Sequence, residues 1–228
     1  GAASADLGAY QGHGSWAVPQ GALISWALMM EGGVQINRRG ERFHDETQGY
    51  SEAAVHVLAQ PEGVAWNVLD DALLALAQEF PDFVQAQAAG AVQHADSVQA
   101  LARCIGCDAE VLERTLASVR PGLEPGTGRQ FKRALRPPFH AVKVTGALFH
   151  TQGGLSVDAR MRVLMPAGQP LPNLLAAGGA ARGVSGTAVW GYLSGNGLLS
   201  AVAGGHLAAQ TAAEMLGDEQ APDQRLQP

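Results

Sequence analysis

The chain has 228 residues, 46% of them hydrophobic, which suffices for one large domain or two small ones with a substantial core. Lys and Arg number 15 against 21 Asp and Glu, and the resulting charge of −6 with no basic run argues against nucleic acid or an anionic membrane as partner. The longest apolar stretch, Leu198 to Ala203, falls far short of the ~18 apolar residues of a membrane span, and Gly1-Ala2-Ala3-Ser4 does not resemble a signal peptide, so a cytoplasmic setting is expected.

In chain order, Val34-Gln35-Ile36-Asn37 and Glu41-Arg42-Phe43-His44 around Arg38-Arg39-Gly40 predict a hairpin. Gly63 to Leu69 reads as an apolar strand. From Asp70 to about Val119 the pattern is helical, with Leu73, Leu74, Leu76 and Ala77 before Pro81 and a helix pair after it. Asp96 begins the first helix of that pair, Gly106 suits its end, and Asp108 can cap the second. Cys104 and Cys107 form a C-x-x-C that is either redox-active, half of a metal site, or a pair of small apolar residues at this corner; the helical frame favours the last, and no metal site is expected. Pro121 to Gly128 reads as a linker or loop.

The last third is poor in charge, with short strands at Ala141 to Phe149, Gly154 to Val157, Arg162 to Met165 and Asn173 to Ala177. Glycines crowd Gly178 to Gly197, and a small-residue helix is predicted from about Gly197 to Leu216, ending at Gly217. A strand feeding a glycine-rich loop into a helix start is a platform for an anion or cofactor, because the first N–H groups of the helix lack partners. It is equally a way to fold a convoluted loop. Neither a Walker G-K-[ST] nor a G-x-G-x-x-G occurs anywhere in the chain.

Four segments in order decide between these readings: Gly32-Gly33-Val34-Gln35-Ile36-Asn37-Arg38-Arg39-Gly40-Glu41-Arg42-Phe43-His44-Asp45-Glu46, Phe149-His150-Thr151-Gln152-Gly153-Gly154-Leu155, Leu174-Leu175-Ala176-Ala177-Gly178-Gly179 and Gly195-Asn196-Gly197. Together they resemble the fumarate reductase and succinate dehydrogenase flavoprotein family over most of residues 10–215. The resemblance implies an α+β cap domain plus the C-terminal strands and helix of an α/β FAD-binding domain. Residues 1–12 are then a flavin-domain segment, 13–150 the substrate cap, 151–216 the C-terminal part of the flavin domain and 217–228 a disordered tail. The family's N-terminal Rossmann half, with its G-x-G-x-x-G turn, has no counterpart here. The chain is therefore expected to be a fragment whose partner is the missing FAD-binding segment, and to bind FAD weakly and be inactive by itself.

The resemblance also implies roles. Gly178, Gly179, Ser194, Gly195, Asn196, Gly197 and Leu198 would face the cofactor, with the helix start donating N–H groups to the flavin edge where reduction places negative charge. His150 is the leading catalytic candidate, Thr151, Gly153, Gly154 and Trp190 are substrate-binding candidates, and His13 falls at a second substrate histidine. Glu46 and Tyr50 follow the hairpin near the cleft between cap and flavin, Glu46 more in the manner of an arginine partner. Gly191-Tyr192-Leu193-Ser194-Gly195 is similar to the G-Y-x-S-G of flavin-dependent 3-ketosteroid dehydrogenases, in which the tyrosine handles a proton; Tyr192 is either that group or an aromatic wall with a tethered hydroxyl.

Departures from the family pattern bear on the small-molecule substrate. The positions of the fumarate reductase glutamate and arginines are held by Trp26, Met29, Leu74 and Val189, the last beside Trp190. A dicarboxylate without charge-assisted partners would lose several kcal/mol on desolvation. The expected activity is hydride transfer between flavin and a carbon–carbon bond next to a carbonyl in a mostly apolar cyclic ketone or steroid-like compound. A polycarboxylate bound by Arg182, Arg136, Lys143 or His13, and a binding module without turnover, are the alternatives.

Overall fold

The computed structural model describes residues 1–220 and divides into two compact units, Gly12–Leu148 and a second made of Gly1–Gln11 with the stretch from Phe149 onward. In chain order the elements are β1 (Ser4–Ala5), β2 (Tyr10–Ala17), β3 (Ala22–Leu23), α1 (Ala27–Met30), β4 (Val34–Ile36), α2 (Tyr50–Leu58), β5 (Val64–Asp70), α3 (Asp71–Ala77), α4 (Pro81–Ala88), β6 (Val92–Ala95), α5 (Val98–Ile105) and α6 (Ala109–Ser118). They continue with β7 (Gly122–Leu123), β8 (Gln130–Phe131), β9 (Phe139–Thr151), β10 (Gly154–Leu155), β11 (Arg162–Leu164), β12 (Pro170–Leu175) and α7 (Asn196–Gln220).

The Gly12–Leu148 unit is an α+β structure around one sheet, ordered β3-β2-β9-β5-β4, with β6 also pairing to β9. β5 is buried along its whole length, so it reads as a continuous apolar run rather than an alternating one. It pairs antiparallel with β9 (Val68 opposite Ala141) and with β4 (Val34 opposite Val68). Ile24, Leu28, Ile36, Leu69, Phe83, Leu101, Ile105 and Leu112 close the core, each fully buried side chain contributing about 1.5–3 kcal/mol of transfer free energy.

Helix ends follow from local chemistry. Asp70 closes β5 and caps α3 by accepting from the Leu73 N–H at 3.2 Å. Ser97, one residue after the expected Asp96, caps α5, which ends on left-handed Gly106. Asp108 accepts from the N–H groups of Glu110 and Val111 to start α6. Cys104 and Cys107 are free thiols packed against the core at this corner, and burial pushes the Cys107 thiol up. Among the described residues no His, Cys, Asp and Glu cluster could hold a metal ion.

Four expectations change. Only the first arm of the hairpin is a strand: the Asn37 side chain closes the turn by accepting from Arg39 and Glu41 N–H groups, but the Gln35 N–H is taken by the Glu46 carboxylate at 3.0 Å, and β4 finds its partner in β5. The helical stretch is interrupted by β6, because Gly90 at φ 78° ends the preceding run and Val92 to Ala95 join β9. Inside the expected loop, β7 pairs with β8. Finally α7 runs through Gly217 to Gln220, an interior glycine costing only about 1 kcal/mol, so the expected tail is helical over 217–220; its remainder, 221–228, lies outside the described residues.

A buried ionic network spans the same unit. Glu46 is fully buried between Arg42 (2.5 Å) and Arg129 (2.8 Å), which hold its carboxyl below the usual range against the opposing effect of burial. Arg129 also donates to the Gly33 carbonyl at 2.7 Å and the Met29 carbonyl at 2.5 Å, and both guanidiniums stack on Phe131. The arginine-partner reading of Glu46 describes its contacts.

The other unit has a small core of Val163, Ala176 and Ala181 with Leu155, Val157 and Leu171 packed on it. β1 pairs with β10 and β11 with β12. α7 lies close because it is slim: a side chain on Gly204 would come within 3.1 Å of the Ala177 Cβ. No helix of the described residues is long and apolar enough to cross a membrane.

Candidate functional site

At the end of β9 the chain places His150 and turns sharply, with the N–H groups of Gln152 and Gly153 both donating to the Ala9 carbonyl at 2.9 and 3.2 Å. Gly153 and Gly154 are spacers in this turn. A Cβ on the first would stand 1.9 Å from the Asp6 carbonyl oxygen, and on the second 2.6 Å from that of Ala180.

Buried Gln152 and Asn196 organise the loop and the helix start around this turn. Asn196, the first residue of α7, donates through Nδ2 to Gln152 Oε1 at 3.0 Å and to Ser185 Oγ, and accepts from Ser200 Oγ at 3.2 Å. Ser185 Oγ in turn accepts from the Leu193 N–H at 3.2 Å, fastening the glycine-rich loop to the helix start. The Gln152 amide nitrogen lies 3.2 Å from both ring nitrogens of His150. The imidazole Nδ1 is 3.0 Å from the Thr151 carbonyl oxygen, which can only accept, and in the tautomer with the hydrogen on Nδ1 the Nε2 accepts from the Tyr192 hydroxyl at 3.3 Å. The Tyr192 ring meets the imidazole edge-on.

These residues border a pocket of about 20 Å³, lined by His150, Thr151, Gly178, Gly179, Asn196 and Gly197 among others. That volume is an edge for a ligand to lie against. Gly197 is part of its shape, since a Cβ there would sit 2.6 Å from the imidazole. Ser194, Gly195 and Leu198 are exposed on the adjoining loop and helix start, and Trp190 is exposed outside the pocket lining.

The Gly12–Leu148 unit carries a larger cavity of about 500 Å³, walled by His13, Trp26, Tyr50 and Phe80, with Ser25 and Asp82 at the same lining. β2 sets His13, which stacks on Tyr50 at 5.0 Å and meets Trp26 edge-on at 5.9 Å. Burial lowers the His13 pKa to about 4, so the ring is neutral near pH 7. Trp26 is fixed by its indole N–H, which donates to the Glu46 carbonyl at 3.0 Å. No Lys or Arg lines this cavity among the described residues.

The structure thus gathers His150, Thr151, Gly178, Gly179, Asn196 and Gly197 into one pocket, with Tyr192 hydrogen-bonded to it, and His13 and Tyr50 into another. Gln152, Ser185 and Ser200 were not singled out from the sequence, although Gln152 stands inside the Thr151 to Gly154 segment. Phe80 and Asp82 were missed as well, and they flank the Pro81 that marks a helix start.

A family model described as FAD binding domain matches residues 4–198. The chain is similar to a fumarate reductase (cytochrome) of Shewanella frigidimarina, 28% identical over 220 residues, covering 94% of this chain and 38% of that protein. It is also similar to a 4-oxocyclohex-2-ene-1-carboxylate 5-dehydrogenase of Sinomonas cyclohexanicum, 26% identical over 201 residues, covering 73% and 34%. The solved structure of 3-ketosteroid delta1-dehydrogenase from Sterolibacterium denitrificans in complex with 1,4-androstadiene-3,17-dione matches with a TM-score of 0.71 at 21% identity over 94% of this chain and 45% of that one, which is a likeness of fold. The chain spans little more than a third of the length of these two curated relatives.

Proposed function

The chain belongs to the FAD binding domain family, whose cofactor is FAD, and on that premise we propose that it supplies the substrate cap and the flavin-ring end of an oxidoreductase acting on a carbon–carbon bond beside a carbonyl. The proposed substrate is a mostly apolar cyclic ketone or steroid-like compound. The observation that carries this choice is the lining of the 500 Å³ cavity, where Trp26, Tyr50, Phe80 and a neutral His13 offer flat apolar walls.

The residues present fit the ring end of the cofactor. Gly179 and Gly195 have open space where a side chain would stand, and Gly178 holds a left-handed φ of 59° that favours glycine, so the backbone is bare where a flat ligand would lie. The Asn196 N–H at the start of α7 is taken by the Leu193 carbonyl at 3.1 Å, and a helix start leaves its next N–H groups without intrahelical partners, available to an anionic edge. The ADP part of FAD needs a dinucleotide-binding partner segment, since this sequence has no G-x-G-x-x-G. Bound there, FAD supplies two-electron redox chemistry.

The chain's own residues contribute position and proton handling. Asn196, Gln152 and Ser185 lock the helix start to the loop, so the N–H donors are pre-organised before any ligand arrives. Tyr192 donates its O–H to His150 Nε2, and passing that proton across leaves a phenolate beside an imidazolium whose Nδ1–H still donates to Thr151. The reverse transfer restores the pair. The phenolate can take a proton from a carbon next to a carbonyl, and the phenol can return one.

The 28% identical fumarate reductase supports a second reading, a polycarboxylate substrate. That reading requires convergent cations. Arg182 is paired with Asp6 at 2.5 Å, Lys143 lies 5.9 Å over the Trp66 ring, and Arg136 is exposed.

The deciding experiment loads the full protein with FAD and follows flavin absorbance on adding cyclic ketones and enones, or fumarate and succinate. Flavin turnover with the cyclic compounds supports the proposal, and turnover with the dicarboxylates alone would replace it with the second reading. Turnover with neither class would favour a binding module without catalysis.

A further inference from the structure

Resting on the cyclic-ketone reading, we infer that Asp82 sets the charge selectivity of the 500 Å³ cavity, rejecting carboxylate-bearing substrates in favour of neutral rings of the same shape. The walls supply the first half of the argument. Trp26 and Phe80 are apolar, His13 is stacked on Tyr50, and no Lys or Arg lines the cavity among the described residues. A carboxylate brought against such walls would lose hydration without gaining a charged partner.

Asp82 supplies the second half. It sits in the first turn of α4, where Pro81 starts the helix with its fixed φ, and its exposed carboxylate belongs to the same lining as Phe80 and Pro81. The groups at the lining that can ionise are His13, Tyr50 and Asp82, and His13 is held neutral by burial. With His13 neutral, the formal charge at this lining is that of the Asp82 carboxylate, and an anionic ring meets both an unrecovered desolvation cost and like-charge repulsion. Rejection of one ligand by a placed repulsive group is a standard route to specificity. A carboxylate in a first helical turn also steadies the helix, so the test needs a readout that helix stability does not move.

The probes are cyclohexanone and 4-oxocyclohexanecarboxylate, the same ring without and with one carboxylate. Dissociation constants for both are measured on the FAD-loaded protein by tryptophan fluorescence, at low salt and at about 0.5 M salt, where screening is strong. Wild type should bind the neutral ketone more tightly. Asp82→Asn should lower the ratio of the anion's constant to the neutral ketone's about 5-fold, Asp82→Lys about 20-fold, and Asp82→Glu little, with the differences shrinking in high salt. Melting temperatures of the variants separate this from a loss of helix stability. An unchanged ratio in Asp82→Asn and Asp82→Lys overturns the filter while leaving the cyclic-ketone reading standing. Tight binding of the anion with failure to bind the neutral ketone also overturns the filter, while flavin turnover with fumarate or succinate and with neither ring ketone overturns the cyclic-ketone reading beneath it.

Discussion

The Nε2 of His150 lies 3.3 Å from the hydroxyl of Tyr192, 42 residues further along the chain, with the two rings edge-on at a centroid distance of 5.8 Å. The contact joins the end of β9 to the glycine-rich loop. In the tautomer that lets Thr151 accept from the other imidazole nitrogen, the phenol is the donor in this pair.

If this pair moves a proton, Tyr192→Phe should lower turnover by about 10²-fold or more while FAD stays bound. Turnover within about two-fold of wild type would assign Tyr192 to the wall.

Two glycine substitutions separate cofactor contact from folding. Gly179 has nothing within 4 Å of the place a Cβ would take, so Gly179→Ala should leave the melting temperature nearly unchanged yet weaken FAD binding about 10-fold if the ring lies there. Gly197→Ala puts a methyl group 2.6 Å from the imidazole and should displace His150, breaking its bond to Tyr192. FAD titration with parallel thermal melts reads both, and undiminished FAD affinity in Gly179→Ala would remove that glycine from the cofactor surface.

The buried network makes a stability prediction. Glu46→Gln leaves the buried Arg129 without its carboxylate and should cost about 3–5 kcal/mol in urea unfolding, whereas Arg129→Met leaves Glu46 paired with Arg42 and should cost less. The double variant should cost less than the sum of the two, because the larger part of the Glu46→Gln loss is the stranding of Arg129, which the double variant no longer carries. Additive losses would show that Arg42, not Arg129, neutralises Glu46.

What the sequence made legible, and what it hid, divides along the range of the forces involved. β5 and α7 announce themselves through local pattern, and the corner at Cys104 to Asp108 through its caps, since Gly106 and Asp108 act on their immediate neighbours. The second hairpin arm failed because a carboxylate eleven residues away outcompetes a strand for the Gln35 N–H. β6 was invisible for a similar reason: its exposed Gln93 and His94 carry little apolar signal, and it exists only because β9 offers an edge. In the site, His150, Asn196 and Gly197 stood in motifs. Gln152 and Ser185, which bind those motifs to one another, are polar residues whose importance lies in burial, and burial is a property of the fold. The cavity wall of Trp26, Tyr50 and Phe80 likewise assembles from three separate elements, and periodicity does not connect them.

Two buried histidines predict how the Gly12–Leu148 unit responds to acid. Burial lowers both His13 and His44 to about 4 from an ordinary value of 6.5, with neighbouring charges modifying His44. Below 6.5 the unfolded chain takes up protons that the folded unit refuses, so stability is full above pH 6.5 and falls as the pH drops toward 4. Each histidine contributes a loss of about 3 kcal/mol across that window, since a tenfold difference in proton affinity between the folded and unfolded chain is worth about 1.36 kcal/mol. Glu46, whose carboxyl is held low by Arg42 and Arg129, adds a further loss below about pH 4.5, where the unfolded carboxylate protonates first. Urea unfolding between pH 7.5 and 4.5 should show this decline, and His13→Gln should flatten it by removing one of the rings held low. A stability that stayed level from pH 6.5 to 4.5 would mean that His13 and His44 reach water in the folded state, and the neutral, apolar cavity wall built on His13 would have to be given up.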